Sequence, residues 1–142
     1  MQIKDLMTRN VEVISPESTL KIAAQKMESL DVGVLPVCDN ERLVGMLTDR
    51  DIVVRSTAKG DDPNNTKVRD IMSPGVEWCF EDQSIEEVAK QMENRQIRRS
   101  PVINHDKNLV GIISLGDLAV RGDEKLAGEA LKKISQPAQP KY

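Results

Sequence analysis

Leu43-Val44-Gly45-Met46-Leu47-Thr48-Asp49-Arg50-Asp51 decides how this chain is read. An apolar run long enough for a buried strand stops at a hydroxyl, and a carboxylate follows three residues later. The arrangement returns as Leu109-Val110-Gly111-Ile112-Ile113-Ser114-Leu115-Gly116-Asp117. Thr48-x-x-Asp51 and Ser114-x-x-Asp117 each predict a strand running into a helix. The hydroxyl caps an early backbone N–H and the carboxylate sits at the positive helix end. The same two groups, beside unpaired helical N–H groups, suit the diol of a ribose and a nearby phosphate. Both readings can hold at once.

Outward from these motifs, the rest of the chain is also written twice. Asp5-Leu6-Met7-Thr8 is matched by Asp70-Ile71-Met72-Ser73, and Val11-Glu12 by Val76-Glu77 at the same offset. After Ser15-Pro16-Glu17-Ser18-Thr19, Leu20, Ala23, Ala24, Met27 and Leu30 recur at helical spacing and predict one buried face. Ser84-Ile85-Glu86-Glu87 is the matching capping box, followed by Val88, Ala89 and Met92 with the same period. Each helix leads to a short strand with an inward proline, Val34-Leu35-Pro36-Val37-Cys38 and Ser100-Pro101-Val102-Ile103. Proline cannot donate to a sheet ladder, which places it at an edge or bulge and leaves backbone groups open to a ligand. Polar turns at 39–42 and 105–108 precede the opening strands, and Asp51-Ile52-Val53-Val54-Arg55 and Asp117-Leu118-Ala119-Val120-Arg121 close the two copies. The expected division is a first repeat at 1–60, a polar linker at 61–67 and a second repeat at 68–122. Residues 123–142 hold a short helix capped by Asp123 and a loose Pro-rich tail from Gln136.

A chain of 142 residues supports one core that buries roughly 70% of the surface its unfolded form exposes. With 30% charged residues, 39% hydrophobic residues and a net charge of −3, it has neither a basic nucleic-acid footprint nor the profile of a disordered acidic chain. The start lacks a signal-peptide layout and no apolar run nears the ~20 residues of a spanning helix, so a cytoplasmic protein without a membrane partner is expected. Cys38 and Cys79 lack metal or redox spacing and read as buried packing thiols. No metal-ligand cluster, nucleophile–base pair or phosphate loop is present, so no catalytic or metal residue is assigned. His105, the only histidine, falls in a predicted turn.

The two β-α-β-β-α units, the inward prolines and the G-h-h-T/S-x-x-D motifs together resemble the tandem CBS domain over about residues 1–122. Thr48-Asp49-Arg50-Asp51-Ile52 with Gly60-x-Asp62-Pro63 looks like the small stand-alone bacterial proteins of that type. The resemblance implies an α+β fold in which two repeats pack about a pseudo-two-fold axis and enclose two clefts for adenosine-containing ligands. It implies a first cleft of Thr48 and Asp51 with Ile97, Arg98, Arg99 and Pro101, and with Trp78 and Cys79 on the nearby strand. The second would join Ser114 and Asp117 to Val32, Gly33, Val34 and Pro36. Val13 is the counterpart of Trp78. Gln96-Ile97-Arg98-Arg99-Ser100-Pro101 resembles the family's phosphate-binding segment. Gly33 and Val34 stand where the arginines would be, so the first cleft is expected to take phosphate and the second a less charged ligand or none.

Each residue keeps a plainer reading. Arg98 and Arg99 suit a phosphate, yet paired surface arginines are often only solvated. Trp78 either stacks on adenine or is a half-buried strand residue. By the resemblance the protein is a ligand-sensing module rather than an enzyme, a homodimer joined through helical faces, and a regulator of an unidentified protein partner. The guest is AMP, ADP or ATP, with S-adenosylmethionine and NAD as further options. The alternatives are a ligand-free dimeric scaffold, in which T-x-x-D only caps helices, and a nucleotide-processing enzyme.

Overall fold

The computed structural model describes residues 1–136; the tail expected to be loose lies outside the described residues from position 137 on. The described chain carries α1 (Leu20–Leu30), β1 (Val34–Asp39), β2 (Arg42–Thr48), α2 (Asp49–Arg55) and α3 (Val68–Ile71). There follow β3 (Cys79–Phe80), α4 (Ile85–Arg95), β4 (Arg99–Ile103), β5 (Leu109–Ser114), α5 (Leu115–Arg121) and α6 (Glu124–Ile134). The chain divides into two compact units, each an α+β assembly. One comprises Glu12–Val76 with Lys107–Leu109, and the other Met1–Val11, Glu77–Asp106 and the chain from Val110 on. Residues 1–11, which open the first repeat in sequence, thus belong to the second-repeat unit, and 68–76 belong to the first-repeat unit.

In the first-repeat unit β1 and β2 form an antiparallel hairpin whose register runs from Val34 opposite Thr48 to Asp39 opposite Arg42, with an irregularity between Val37 and Cys38. The strand expected before α1 shrinks to one parallel bridge, Ile14 with Val37. Ser15-Pro16 ends it: proline supplies no N–H and constrains the residue before it. The linker is structural here. Backbone carbonyls of Thr66 and Pro63 accept from the N–H groups of Leu20 and Lys21, at 2.9 and 3.1 Å, satisfying donors that a helix start leaves open. In return Ser18 and Pro16 carbonyls accept from Val68 and Arg69 at 2.8 and 3.0 Å. Leu20, Ala23, Met27, Leu35, Val37 and Leu47 fill the core. Ala24 and Leu30, expected on the buried face of α1, are exposed.

The second-repeat unit has a three-stranded sheet in the order β3-β4-β5. Pro101 therefore lies on the middle strand, not at an edge. This is tolerated because β3 is parallel to β4 and pairs only with Val102 and Ile103, so the ladder on that side begins past the proline. Ile3, Val88, Ala89, Met92, Val102, Ile113 and Leu118 are buried around this sheet, and Ala127, Ala130 and Ile134 of α6 complete the core. Burying each large side chain contributes about 1.5–3 kcal/mol. Here α6 packs against both α4 and α5. Ala89 of α4 is wholly buried, whereas its counterpart Ala24 in the first-repeat unit is exposed.

The duplicated Asp-h-Met-Ser/Thr segments explain the glycine in each opening motif. Met46 and Ser73 exchange backbone hydrogen bonds of 3.1 and 2.9 Å, and Thr8 and Ile112 exchange bonds of 2.8 and 3.0 Å. A Cβ at Gly45 would stand 2.7 Å from Met72 Sδ and 2.9 Å from the Ser73 carbonyl; at Gly111 it would stand 2.7 Å from both Met7 Sδ and the Thr8 carbonyl. Only glycine lets the backbones approach this closely.

Candidate functional site

Both opening motifs close as capping boxes. Thr48 Oγ1 accepts from the Asp51 N–H at 3.0 Å while Asp51 Oδ2 accepts from the Thr48 N–H at 3.0 Å. Ser114 and Asp117 make the same pair of bonds at 3.1 and 2.9 Å. The second carboxylate oxygen of Asp51 lies 3.7 Å from Arg55 Nη2. Since an ionised carboxylate offers about four lone-pair directions, capping leaves each aspartate acceptor capacity for a ligand hydroxyl.

What stands beside each box follows from the hairpin register. Val34 opposes Thr48, so Gly33 reaches the start of α2, where its carbonyl accepts from the Asp49 N–H at 2.9 Å. A Cβ on Gly33 would lie 2.9 Å from the Asp49 carboxylate. Gly33, Val34, Thr48, Asp49 and Asp51 therefore share one neighbourhood, with two carboxylates and no cation from the 33–34 segment. Val32 is exposed and Pro36 buried behind it, and the Val13 carbonyl accepts from Lys26 Nζ at 2.7 Å.

In the second-repeat unit the Arg98 carbonyl accepts from the Leu115 N–H at 2.8 Å. A cavity of about 510 Å³ opens there, lined by Arg98, Arg99, Ser114, Leu115, Gly116 and Ala119, and by Glu124, Ala127, Gly128 and Leu131 of α6. Both arginines are exposed. Among the described residues, neither guanidinium takes part in a hydrogen bond or ion pair. Within this unit, Arg98 and Arg99 thus share a cavity with Ser114.

The other expected residues fall as follows. Ile97 is partly buried against the core and Pro101 is buried. Trp78 precedes β3 and is 42% exposed. It lines a separate groove with Glu77, Phe80, Gln83, Gln91 and Arg95, where Arg95 Nε and Glu77 Oε2 are 3.3 Å apart. Cys79 is buried with its thiol 3.8 Å from the Pro101 carbonyl. Burial pushes the Cys38 and Cys79 thiols up to about 11, which keeps them protonated and poor nucleophiles at neutral pH. His105 lies on the surface, paired with Asp82 at 2.8 Å and stacked on Phe80. Among the described residues no group of three or more His, Cys, Asp or Glu side chains could hold a metal ion, and no helix is long and apolar enough to cross a membrane.

Comparison with known proteins meets this geometry. The CBS domain model matches residues 3–56 and 68–124. The chain is 43% identical over 134 residues to the CBS domain-containing protein YhcV of Bacillus subtilis, covering 94% of each. It is 38% identical over 135 residues to hypoxic response protein 1 of Mycobacterium tuberculosis, again covering 94% of each. A crystal structure of Hypoxic Response Protein I with two coordinated zinc ions superposes with a TM-score of 0.78 at 39% identity, over 85% of this chain and 98% of that one. A crystal structure of CBSX2 in complex with AMP gives a TM-score of 0.71 at 25% identity, over 95% and 98% of the two chains. With two matched repeats, full-length relatives and a fold shared with solved CBS proteins, the chain belongs to the CBS domain family.

Proposed function

We propose that this protein is a regulatory module that binds an adenine nucleotide and signals its occupancy through changed packing of the repeats. The observation that carries the reading is the cavity lined by Ser114, Arg98 and Arg99, in which neither guanidinium has a hydrogen-bond or ion-pair partner among the described residues, with Asp117 of the same capping box next in the helix. Guanidinium groups recognise phosphate oxygens through paired, charge-assisted hydrogen bonds. Asp117 is suited to a ribose hydroxyl. The cavity volume lies within the usual range for small-molecule sites, and the AMP bound by CBSX2 agrees with an adenine nucleotide as the guest. AMP, ADP and ATP are the first choices, with S-adenosylmethionine and NAD behind them.

The phosphate thereby moves from the Thr48–Asp51 motif to the Ser114–Asp117 motif. Thr48, Asp51, Val32, Gly33, Val34 and Pro36 then form the weaker site, suited to a less charged ligand, since Asp49 and Asp51 together oppose a phosphate. Ile97, Pro101 and Cys79 support the arginine-bearing strand from within the core, and Trp78 and Val13 precede the first strands of their repeats. The protein works as a homodimer in the cytoplasm and passes the signal to a protein partner. Ile22, Val53 and Val54 of α1 and α2 are 50%, 58% and 50% exposed, which leaves apolar side chains on these helices for a second copy to cover.

The test is a melting-temperature screen against AMP, ADP, ATP, NAD, S-adenosylmethionine and adenosine. A ligand that binds only the folded protein raises its stability with concentration, by about 2.7 kcal/mol at a hundred times Kd. A rise with a phosphorylated ligand but not adenosine is expected; no rise with any would reject the proposal. The scaffold reading retains one specific observation in its favour, that both T/S-x-x-D motifs close as helix-capping boxes. It predicts that Asp117→Ala lowers stability with no ligand affinity to lose.

A further inference from the structure

α6 is an addition to the repeat: the first-repeat unit has no counterpart to it among the described residues. Its buried side, Ala127, Ala130 and Ile134, docks on the unit's core. Another part of its surface faces the cavity, where Glu124, Ala127, Gly128 and Leu131 stand with Arg98 and Arg99. Two features of this surface are not explained by docking. Leu131 remains 44% exposed although it is a large apolar side chain on a helix that buries its neighbours. Gly128 sits in the middle of α6, where glycine is a poor helix former. It has neither a left-handed backbone nor a close neighbour, since a Cβ there would meet nothing within 4 Å. The space it leaves belongs to the cavity.

We infer that α6 is a wall of the ligand site: Ala127, Gly128 and Leu131 seat the flat apolar body of a small organic anion whose phosphate Arg98 and Arg99 hold, and occupancy fastens α6 to α4 and α5. The inference rests on the nucleotide reading above and adds to it the surface that receives the base. A ligand touching both the arginine-bearing segment and α6 gains contacts only when α6 is docked, so it shifts the helix toward that state by its differential affinity. Existing ties from α6 to α4 include Lys133 Nζ to Glu93 Oε2 at 3.3 Å and Gln96 Nε2 to the Lys133 carbonyl at 3.2 Å. The ligand adds a third attachment nearer the start of the helix.

The experiment is calorimetric titration of AMP, ADP and ATP into the wild-type protein, Gly128→Leu, Gly128→Ala and Arg99→Ala, each variant first checked by thermal melting. Gly128→Leu is expected to fold as the wild type does, since its side chain enters open space, and to bind about tenfold or more weakly because it fills the seat of the base. Gly128→Ala, which fills less of the same space, is expected to weaken binding less than Gly128→Leu. If Gly128→Leu matches wild-type affinity while Arg99→Ala loses it, the nucleotide reading stands and α6 is not a wall. If the wild type binds none of the three, the nucleotide reading fails and this inference fails with it. Should Gly128→Leu melt well below wild type, hydrogen exchange on the wild-type protein decides. Slower exchange of the α6 amides on saturation with the bound nucleotide supports the inference, and unchanged exchange overturns it.

Discussion

The backbone N–H of Leu115 donates to the carbonyl of Arg98 at 2.8 Å, tying the residue before β4 to the first residue of α5. In the first half the equivalent bond runs from Asp49 to Gly33 at 2.9 Å. One backbone contact, made twice, holds different chemistry: two arginines beside the serine motif, and a glycine and a valine beside the threonine motif. Within each unit the two motifs therefore have different neighbours.

Arg99→Ala and Arg98→Ala should each weaken binding of a phosphorylated nucleotide by roughly tenfold to a hundredfold. A hydrogen bond to a charged group is worth about 1.5–3 kcal/mol. Neither side chain has a partner to lose among the described residues, so the melting temperature without ligand should stay within about a degree or two of wild type. Titration calorimetry and thermal melting on the same samples check both statements.

Asp51→Ala and Asp117→Ala should each cost about 1 kcal/mol of stability by removing one arm of a capping box. Urea unfolding would measure this as a lower midpoint with an unchanged slope. They should differ in ligand affinity: Asp117→Ala loses phosphorylated nucleotide, whereas Asp51→Ala leaves that site's affinity near wild type.

Gly45→Ala and Gly111→Ala should each destabilise the protein by about 1–3 kcal/mol, the usual cost of forcing extra atoms into a packed site. The added Cβ meets backbone carbonyls at 2.9 Å in one case and 2.7 Å in the other, and these cannot turn aside as a side chain can. Gly128 is the contrast, because a Cβ there would meet nothing within 4 Å and its φ is not left-handed. Gly128→Ala should therefore be neutral or stabilising in the same unfolding assay.

The repeat, its strand-to-helix turns and the helix caps were legible because each rests on local spacing: hydroxyl, carboxylate and apolar period all fall within one turn or one strand. The reason for Gly45 and Gly111 was not, because it depends on Ser73 and Thr8, segments distant in sequence that return to pair with β2 and β5. The exposed side of α1 was hidden for a similar reason. Ala24 and Leu30 have the right period, but whether that side is covered depends on a helix lying over it, as α6 packs on α4 in the second-repeat unit. The pairing of Val34 with Thr48 was hidden too: the two-residue turn at Asn40 and Glu41 alone would set Val34 opposite Leu47, and the irregularity between Val37 and Cys38 moves the register by one.

The His105–Asp82 pair gives a pH dependence with a definite sign. The Asp82 carboxylate, bonded to the ring, raises the His105 pKa above its ordinary 6.5, so its contribution is full below 6.5 and is lost as pH rises through the folded value. The His105 ring holds Asp82 below its ordinary 3.8, so that contribution is present above 3.8 and is lost as pH falls through the folded value. The pair therefore helps most between about pH 4 and 6.5. Both groups are on the surface, so the effect is small. The urea midpoint of wild type minus that of His105→Gln should be largest near pH 5.5 and shrink by pH 8.

Exposed apolar side chains on α1 and α2 predict association. Val53→Asp, placed on a side chain that is 58% exposed, should shift the protein toward monomer in analytical ultracentrifugation without lowering its melting point at low concentration. A wild-type protein that is monomeric at tens of micromolar would rule the dimer out.

The most direct test of nucleotide binding beside Ser114 is calorimetric titration of AMP, ADP and ATP into wild type, Arg99→Ala and Asp117→Ala. At least one of the three is expected to bind the wild type, and both substitutions are expected to weaken it by roughly tenfold or more. Binding unaffected by either substitution, or no binding to the wild type by any of the three, would contradict it.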